Sequence, residues 1–532
     1  MTSVREAAFE LFRNHGMTTI FGNPGSTELP MLADLPDDFR YVLGLQEAVA
    51  VGMADGFAQA AGRVTHVNLH TAPGLGNAMG AIFNAQANKS PLLVTAGQQV
   101  RAQITLQANL TNKDATRVPH PYVKWSHEPA RAQDVVPALA RAVHMASLPP
   151  SGPAFVSLPM DDWTAEADEV MTPPVLARSV SGRAAADASV VETLARRLEE
   201  ASNPAMVAGP DIDASGAWDA AIQLAERQNL PVWATPAPGG GRIGFPESHP
   251  NFRGLLAPAI GPVGQMLEPY DLVLVVGSSV FPYYPYIPGA PLPGGTQLVA
   301  ITNDPDEAAR APMGDAIVAD VRLTLEAVLA EVGETDRSEP EPLGDTEPVE
   351  VSSPLSGAAV HDVLVSLMPE DGIAVVESPS STMALRTRLR LSRPGSYYFS
   401  SAGGLGFGLA AAIGVQLAQP ERQVVCVLGE GSAQYAIIGF WTAAAYKVPV
   451  KFLVLNNSEY AILKWFAGVE QVEGAPGLDL PALDVAAVAQ GYGVESARAE
   501  SRDELHAALS DALGADGPRL VEVKVAPGMS IL

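Results

Sequence analysis

A single cysteine, Cys426, occurs in 532 residues, so the chain can form no internal disulfide and no cysteine-based metal cluster. It lies in an apolar run over 424–428, which predicts a buried, inert thiol. Basic residues are also scarce: 33 Lys and Arg stand against 59 Asp and Glu, a formal charge of −26. Nucleic acids and anionic membranes select a basic face, so neither is expected as a partner. An anionic small molecule stays possible, because a site makes its own local field. No apolar run approaches the ~20 residues that span a bilayer, and the first dozen residues are charged and amphipathic rather than signal-like. A cytoplasmic protein is expected.

The length suggests roughly three domains. Apolar runs of four to seven residues alternate with helical patterns, which predicts an α/β protein of three doubly wound parallel sheets. The first block covers 1–180, with a helix over 4–15 and strands over 19–21, 41–45, 66–69 and 92–95. The second covers 185–335, with strands over 205–208, 232–234, 272–276 and 298–301; their continuous apolar character suits burial on both faces. An acidic, Pro-rich run between Gly333 and Pro354 reads as an exposed linker over 336–354. The third block covers 355–532. No short-period repeat is visible.

Several strand ends carry chemistry. In the third block a strand over 424–428 runs into Gly429-Glu430-Gly431-Ser432, a helix follows, and a strand over 450–455 delivers Asn456-Asn457. Backbone N–H groups, a carboxylate and amide oxygens then share the carboxyl edge of a parallel sheet, where ligands bind. Glycines let a phosphate approach the backbone, and an acid beside a phosphate calls for a hard cation that Asn oxygens also suit. In the first block, Gly22-Asn23-Pro24-Gly25-Ser26-Thr27-Glu28-Leu29-Pro30 follows a strand. By itself it reads as a tight turn with Ser26 or Thr27 capping a helix. Glu47, in Leu45-Gln46-Glu47-Ala48, is either an ordinary helix-start glutamate or a partly buried acid able to exchange a proton. His70 precedes the Gly-rich turn Thr71-Ala72-Pro73-Gly74-Leu75-Gly76-Asn77; a lone histidine is more often structural, but these three sites converge on one sheet edge.

These segments, with Tyr397-Tyr398-Phe399, Gly403-Gly404-Leu405-Gly406-Phe407, Arg310-Ala311-Pro312-Met313-Gly314-Asp315-Ala316 and the spacing from Gly429 to Asn457, resemble the thiamine diphosphate decarboxylase superfamily and within it the benzoylformate decarboxylases. The resemblance runs in order from Glu6 to the last strand. It implies an N-terminal domain gripping the aminopyrimidine, a middle domain, and a C-terminal domain gripping diphosphate and Mg²⁺. It further implies a homotetramer with active sites between subunits.

On this resemblance Glu47 contacts the pyrimidine ring nitrogen and Leu405 is the apolar wedge that bends the cofactor. Pro24, Gly25, Asn77, Ser378, Gly403, Gly431, Ser432, Tyr460, Ala461 and Ile462 complete its binding. Glu430, Asn457 and the backbone carbonyl of Glu459 hold the metal. Ser26 orients the carboxylate of a 2-oxo acid and His70 transfers protons at its keto oxygen, a task suited to a side chain titrating near neutrality. The implied reaction is non-oxidative decarboxylation to an aldehyde and CO2. The alternatives are an acetolactate synthase-like carboligase and a catalytically silent homologue.

The chain also departs from that pattern. Tyr284 stands where a second active-site histidine is expected, and no histidine lies between His249 and His361. A phenol donates a hydrogen bond but rarely exchanges protons near neutrality, which favours carboligation unless Tyr284, or a water it holds, does the same job. Ile462 replaces a small residue and Pro379 a hydroxyl residue in the pocket that Leu463 and Phe466 share, which either favours a slimmer substrate or is silent repacking of the core. Glu430 replaces Asp, and Glu459 replaces a neutral side chain, so altered metal affinity is expected.

Overall fold

The computed structural model describes residues 2–236, 241–350 and 352–530; the block limits Met1 and Leu532, and Val351 of the expected linker, lie outside the described residues. Three six-stranded sheets follow one another along the chain, and all their paired strands are parallel. The first contains β1 (Thr19–Gly22), β2 (Arg40–Leu43), β3 (Thr65–Leu69), β4 (Leu92–Gln98), β5 (Trp125–His127) and β6 (Ala154–Pro159), in the order 2-1-3-4-6-5. The second contains β7 (Pro204–Ala208), β8 (Val232–Ala234), β9 (Phe252–Leu255), β10 (Leu272–Val276), β11 (Gln297–Thr302) and β12 (Asp315–Val318), in the order 12-11-10-7-8-9. The third contains β13 (Ile373–Glu377), β14 (Tyr397–Phe399), β15 (Val424–Gly429), β16 (Lys451–Asn456), β17 (Glu495–Ala499) and β18 (Arg519–Lys524), in the order 14-13-15-16-18-17.

Relabelled from its own first strand, the third sheet repeats the order of the first. The second has the 3-2-1-4-5-6 order of dinucleotide-binding folds, read from its far edge. The apolar runs explain the pairing. Every residue of β3, β4, β6 and β10 is buried, as strands covered on both faces must be.

The first and third sheets do not have separate cores. One cluster joins Phe21, Val67 and Phe155 to Ile373, Cys426 and Phe452, while the middle domain keeps its own. The junction is a pair of helices, Glu47–Ala61 and Phe407–Ala418, rich in Gly and Ala. A Cβ added at Gly56 would lie 2.3 Å from the carbonyl oxygen of Ala411, and one at Gly414 only 1.9 Å from that of Met53. The two helix backbones therefore touch, and nothing larger than hydrogen fits at those positions.

Some expectations are corrected. The strand expected over 41–45 stops at Leu43, and the helix expected after Gly431 is a single turn, Glu430–Ala433, followed separately by Gly439–Ala445. Gly431 inside the first piece and Gly439 at the start of the second lower helix propensity, and residues 434–438 between them form turns. Residues 333–350 and 352–354 form no helix or strand and are mostly exposed, with a few anchoring points. The Arg337 guanidinium donates to the carbonyls of Leu198, Ala201 and Gln228, and Val349 N–H donates to Asp362. Cys426 is buried as expected, with burial pushing its thiol well up.

The helix junction yields a prediction of sign. In a free helix Gly→Ala stabilises by about 1 kcal/mol. Gly414→Ala is expected instead to cost about 1–3 kcal/mol through overpacking against Met53, read as a lowered Tm; an unchanged or raised Tm would contradict the contact.

Candidate active site

At the carboxyl edge of the first sheet, β1 lies between β2 and β3, the switch point where such sheets open a crevice. The loops after these strands deliver the predicted residues. His70 follows β3, and its Nδ1 lies 2.9 Å from Glu28 Oε2 and 3.2 Å from Thr27 Oγ1. Glu28 is buried and fully engaged. It accepts from Gly25 N–H at 2.8 Å, from Gly97 N–H at 2.8 Å and from the Thr27 hydroxyl at 2.7 Å. This set replaces the cap expected from Ser26 or Thr27. The helix after the turn is the short Leu29–Leu32, Glu28 is its N-cap residue, and no side chain caps it. Ser26 is exposed next to Gly25, which itself packs on the His70 ring, and Pro24 lies half-buried in the same turn.

Glu47 combines both readings of its segment. It opens the helix Glu47–Ala61, but Gln46 is the residue whose side chain caps that helix, accepting from Ala48 and Val49 N–H. The Glu47 carboxylate, buried at 7% exposure, faces the other way. Asn23 donates to Oε1 at 3.2 Å and Asn77 to Oε2 at 3.1 Å. Thr71, just after His70, sits at φ 37°, rare for a β-branched residue and a mark of local strain.

The third sheet presents a second group at equivalent strand ends. Glu430 follows β15, and its Oε1 accepts from Glu459 N–H at 3.2 Å, which draws it to the turn after β16. Burial pushes its carboxyl up, opposed by nearby backbone N–H groups of that turn. The two asparagines divide the work. Asn456 is spent on structure: its amide donates to Glu522 at 2.6 Å and to Leu483 O, and its oxygen accepts from Ser458 N–H and Lys524. That grip holds Ser458 at φ 61° and leaves Asn457 Oδ1 beside the N–H of Glu459. The Glu459 side chain, expected to add negative charge at this point, is instead paired with Lys464 and accepts from Gly528 N–H at 2.7 Å. Ser432 is buried and Gly431 packs against Tyr460. Ser378 is buried after β13, bonded to Ser381 at 2.8 Å, with Pro379 half-buried next to it. Gly403 and Leu405 lie on the loop between β14 and the helix Phe407–Ala418.

A third group spans two domains. Tyr284 of the middle domain packs on Phe466, ring centroids 4.9 Å apart, and Phe466 shares the helix Ala461–Val469 with Ile462 and Leu463. Among the described residues no hydrogen bond or ion pair joins the Glu47–His70 group to the Glu430–Asn457 group, nor does any group of three His, Cys, Asp or Glu side chains form a metal cage. The sequence reading missed Asn23, Thr27 and Glu28 as partners of Glu47 and His70. Glu28 carried a signal: it is the sole acid in the turn before Leu29-Pro30, on the strand-end edge that also bears His70.

Comparison with known proteins gives the class first. Residues 2–117, 191–328 and 379–523 match the N-terminal TPP binding domain, the central domain and the C-terminal TPP binding domain of thiamine pyrophosphate enzymes. The chain is 51% identical to the benzoylformate decarboxylase of Pseudomonas aeruginosa, over 98% of this chain and 99% of that one. It superposes on a thiamine diphosphate-dependent 4-hydroxybenzoylformate decarboxylase of Rhodococcus jostii with a TM-score of 0.96, at 46% identity and full coverage of both chains. A putative acetolactate synthase large subunit of Mycobacterium tuberculosis is more distant, 29% identical over 96% of each chain. The chain belongs to the thiamine diphosphate-dependent enzymes, in the benzoylformate decarboxylase branch.

The residues fit that cofactor. A buried carboxylate held by two amides suits a pyrimidine nitrogen, and an all-oxygen set of one carboxylate, one amide and one carbonyl suits Mg²⁺. Glu28→Gln is expected to lower kcat about 10- to 100-fold by releasing His70, with thiamine diphosphate affinity little changed. A wild-type kcat would separate Glu28 from the reaction.

Proposed function

We propose that the protein catalyses the non-oxidative decarboxylation of a 2-oxo acid of the arylglyoxylate class to an aldehyde and CO2, with thiamine diphosphate and Mg²⁺. The observation that carries this reading is the buried Glu28–His70 pair beside the amide-held Glu47 at one sheet edge, matched by Glu430 and Asn457 at the equivalent edge of another. Thiamine diphosphate supplies, when bound, the electron sink that lets CO2 depart.

The chain's own residues do the rest. Glu47 would hydrogen-bond the pyrimidine ring nitrogen, and Leu405 would be the apolar support against which the cofactor bends. Glu430, Asn457 and the carbonyl of Glu459 would hold Mg²⁺; the Glu459 carboxylate itself is paired with Lys464. Ser26 binds the substrate carboxylate. His70, fixed by Glu28 and Thr27, moves a proton at the keto oxygen. Tyr284 and Phe466 wall the far side, and Ile462 narrows it.

Both polar groups need a partner to close one site, and large apolar side chains stand exposed on the sheet-end loops: Leu29 is 60% exposed, Tyr435 57% and Leu463 46%. A homotetramer with each site between two subunits supplies that cover. Tyr284 favours carboligation as a second reading, since a phenol returns a proton slowly and leaves time for an acceptor aldehyde.

Two measurements check the reading. A panel of 2-oxo acids (benzoylformate, phenylpyruvate, branched-chain acids and pyruvate), assayed with and without an acceptor aldehyde, is expected to give CO2 and free aldehyde in equal amounts without acceptor. Turnover of none of them, or 2-hydroxy ketone as the main product under both conditions, would refute it. Ile462→Ala is expected to shift kcat/KM toward aromatic over aliphatic acids by roughly tenfold; an unchanged ratio would remove Ile462 from the pocket.

A further inference from the structure

The loop that carries Leu405 has little structure of its own. It runs from Ser400 to Gly406, with Gly404 and Gly406 flanking Leu405 and with Gly403 at φ 71° and Gly406 at φ 99°, a backbone that glycine adopts freely and that offers no restraint of its own. Its geometry is imposed from outside. On one side is the helix Met79–Ala87 of the N-terminal domain. Asn84, 3% exposed, donates from Nδ2 to the Gly404 carbonyl at 2.9 Å and accepts from the Ser400 hydroxyl at 3.1 Å. One turn on, Asn88 accepts from Ser401 N–H at 2.9 Å and donates to Asp55 at 2.9 Å, on the glycine-rich junction helix. On the other side is Glu377, the last residue of β13, 2% exposed, which accepts from Phe407 N–H at 3.0 Å. Its second oxygen has no partner among the described residues.

We infer that Asn84 and Glu377 are positioning residues for the reaction: from two domains they clamp the ends of the Leu405 loop and so fix how the cofactor is bent. The inference rests on the role of Leu405 given under Proposed function. The Asn84 side chain has no other hydrogen-bond partner than this loop among the described residues, and the fit leaves no slack. A Cβ on Gly404 would stand 2.4 Å from Asn84 Oδ1. Burial lifts the Glu377 carboxyl to about 8, so near neutrality it is mostly the uncharged acid, which glutamine imitates in shape. The diphosphate anchor at Glu430 and Asn457 lies on other loops. Loosening the clamp therefore lowers the fraction of correctly bent cofactor rather than the amount bound.

The test uses the full chain reconstituted with thiamine diphosphate and Mg²⁺. Two quantities are read: the cofactor Kd from fluorescence titration, and the rate of hydrogen–deuterium exchange at the thiazolium carbon of the bound cofactor from quenched NMR samples. Asn84→Ala is expected to slow exchange about tenfold with Kd little changed, the scale on which small misplacements act. Gly404→Ala, which needs no loss of a buried amide, is expected to do the same. The double variant should be no slower than either single one, because removing Asn84 makes room for the new methyl group. Glu377→Gln should exchange faster than Glu377→Ala. Wild-type exchange in Asn84→Ala, or two losses that simply multiply in the double variant, would overturn the clamp. Leu405→Ala separates the two readings: if it alone exchanges at the wild-type rate, the role of Leu405 is wrong, whereas slow exchange there with wild-type rates in Asn84→Ala refutes only the positioning.

Discussion

The contact between the helices Glu47–Ala61 and Phe407–Ala418 is the constraint on which the molecule depends. Backbone meets backbone at Gly56 and Gly414, which brings the two α/β units close enough to share one apolar core. Interiors packed at crystal-like density do not deform by ångströms, so this contact fixes how the two units face each other. The consequence for chemistry lies at the helix starts. Glu47 is the first residue of one helix, and the Leu405 loop feeds directly into the other. A junction that serves the core also sets the position of two groups assigned to the cofactor.

The shared strand order of the outer sheets gives the site its logic. In both, the polar groups sit on loops at the carboxyl edge, around the crevice that the order 2-1-3-4 opens: Glu28, Glu47 and His70 after β1, β2 and β3 of the first sheet, Glu430 and Asn457 after β15 and β16 of the third. The first sheet presents the groups proposed to handle protons, His70 and Glu47. The third presents the oxygen donors proposed for the metal, Glu430 and Asn457. The middle sheet has the dinucleotide-type order, but its crevice is spent on holding domains together. Lys89 of the first domain reaches Asp211 at 2.7 Å and Glu307 at 3.1 Å, and Arg242 pairs with Asp213 while donating to the carbonyl of Gln59. With each of those cations matched by an acid, the cleft offers a nucleotide phosphate little free positive charge.

Much of this was legible in the sequence, for physical reasons. Runs such as Leu272–Val276 are apolar on both faces and can only be central parallel strands. Gly429-Glu430-Gly431 announced a turn at a strand end, and Glu430 indeed meets the turn that holds Asn457 and Glu459. The rest depended on distance in sequence. The repeat of strand order between the outer sheets is topological and leaves no periodic trace. Glu28 looked like part of a helix start because its partners, His70 and Gly97, are 42 and 69 residues away. Arg337 looked solvated within an acidic run, yet its guanidinium caps carbonyls more than a hundred residues back. The Glu459 charge looked like an intrusion, yet its carboxylate pairs with Lys464, five residues on, an ammonium it shares with Asp479.

Taken together, these features describe two half-sites on one chain, each complete in its own hydrogen bonds and each lacking the chemistry of the other. On the proposed function, a working site joins the first half of one subunit to the second half of its neighbour. Subunit complementation tests it most directly. Glu47→Gln and Glu430→Ala chains are each expected to be inactive, and co-refolded mixtures should regain about a quarter of the wild-type rate of CO2 release, since about half of random pairings are mixed and each mixed pairing holds one intact site in two. Mixtures that stay as inactive as the separate variants would contradict the account.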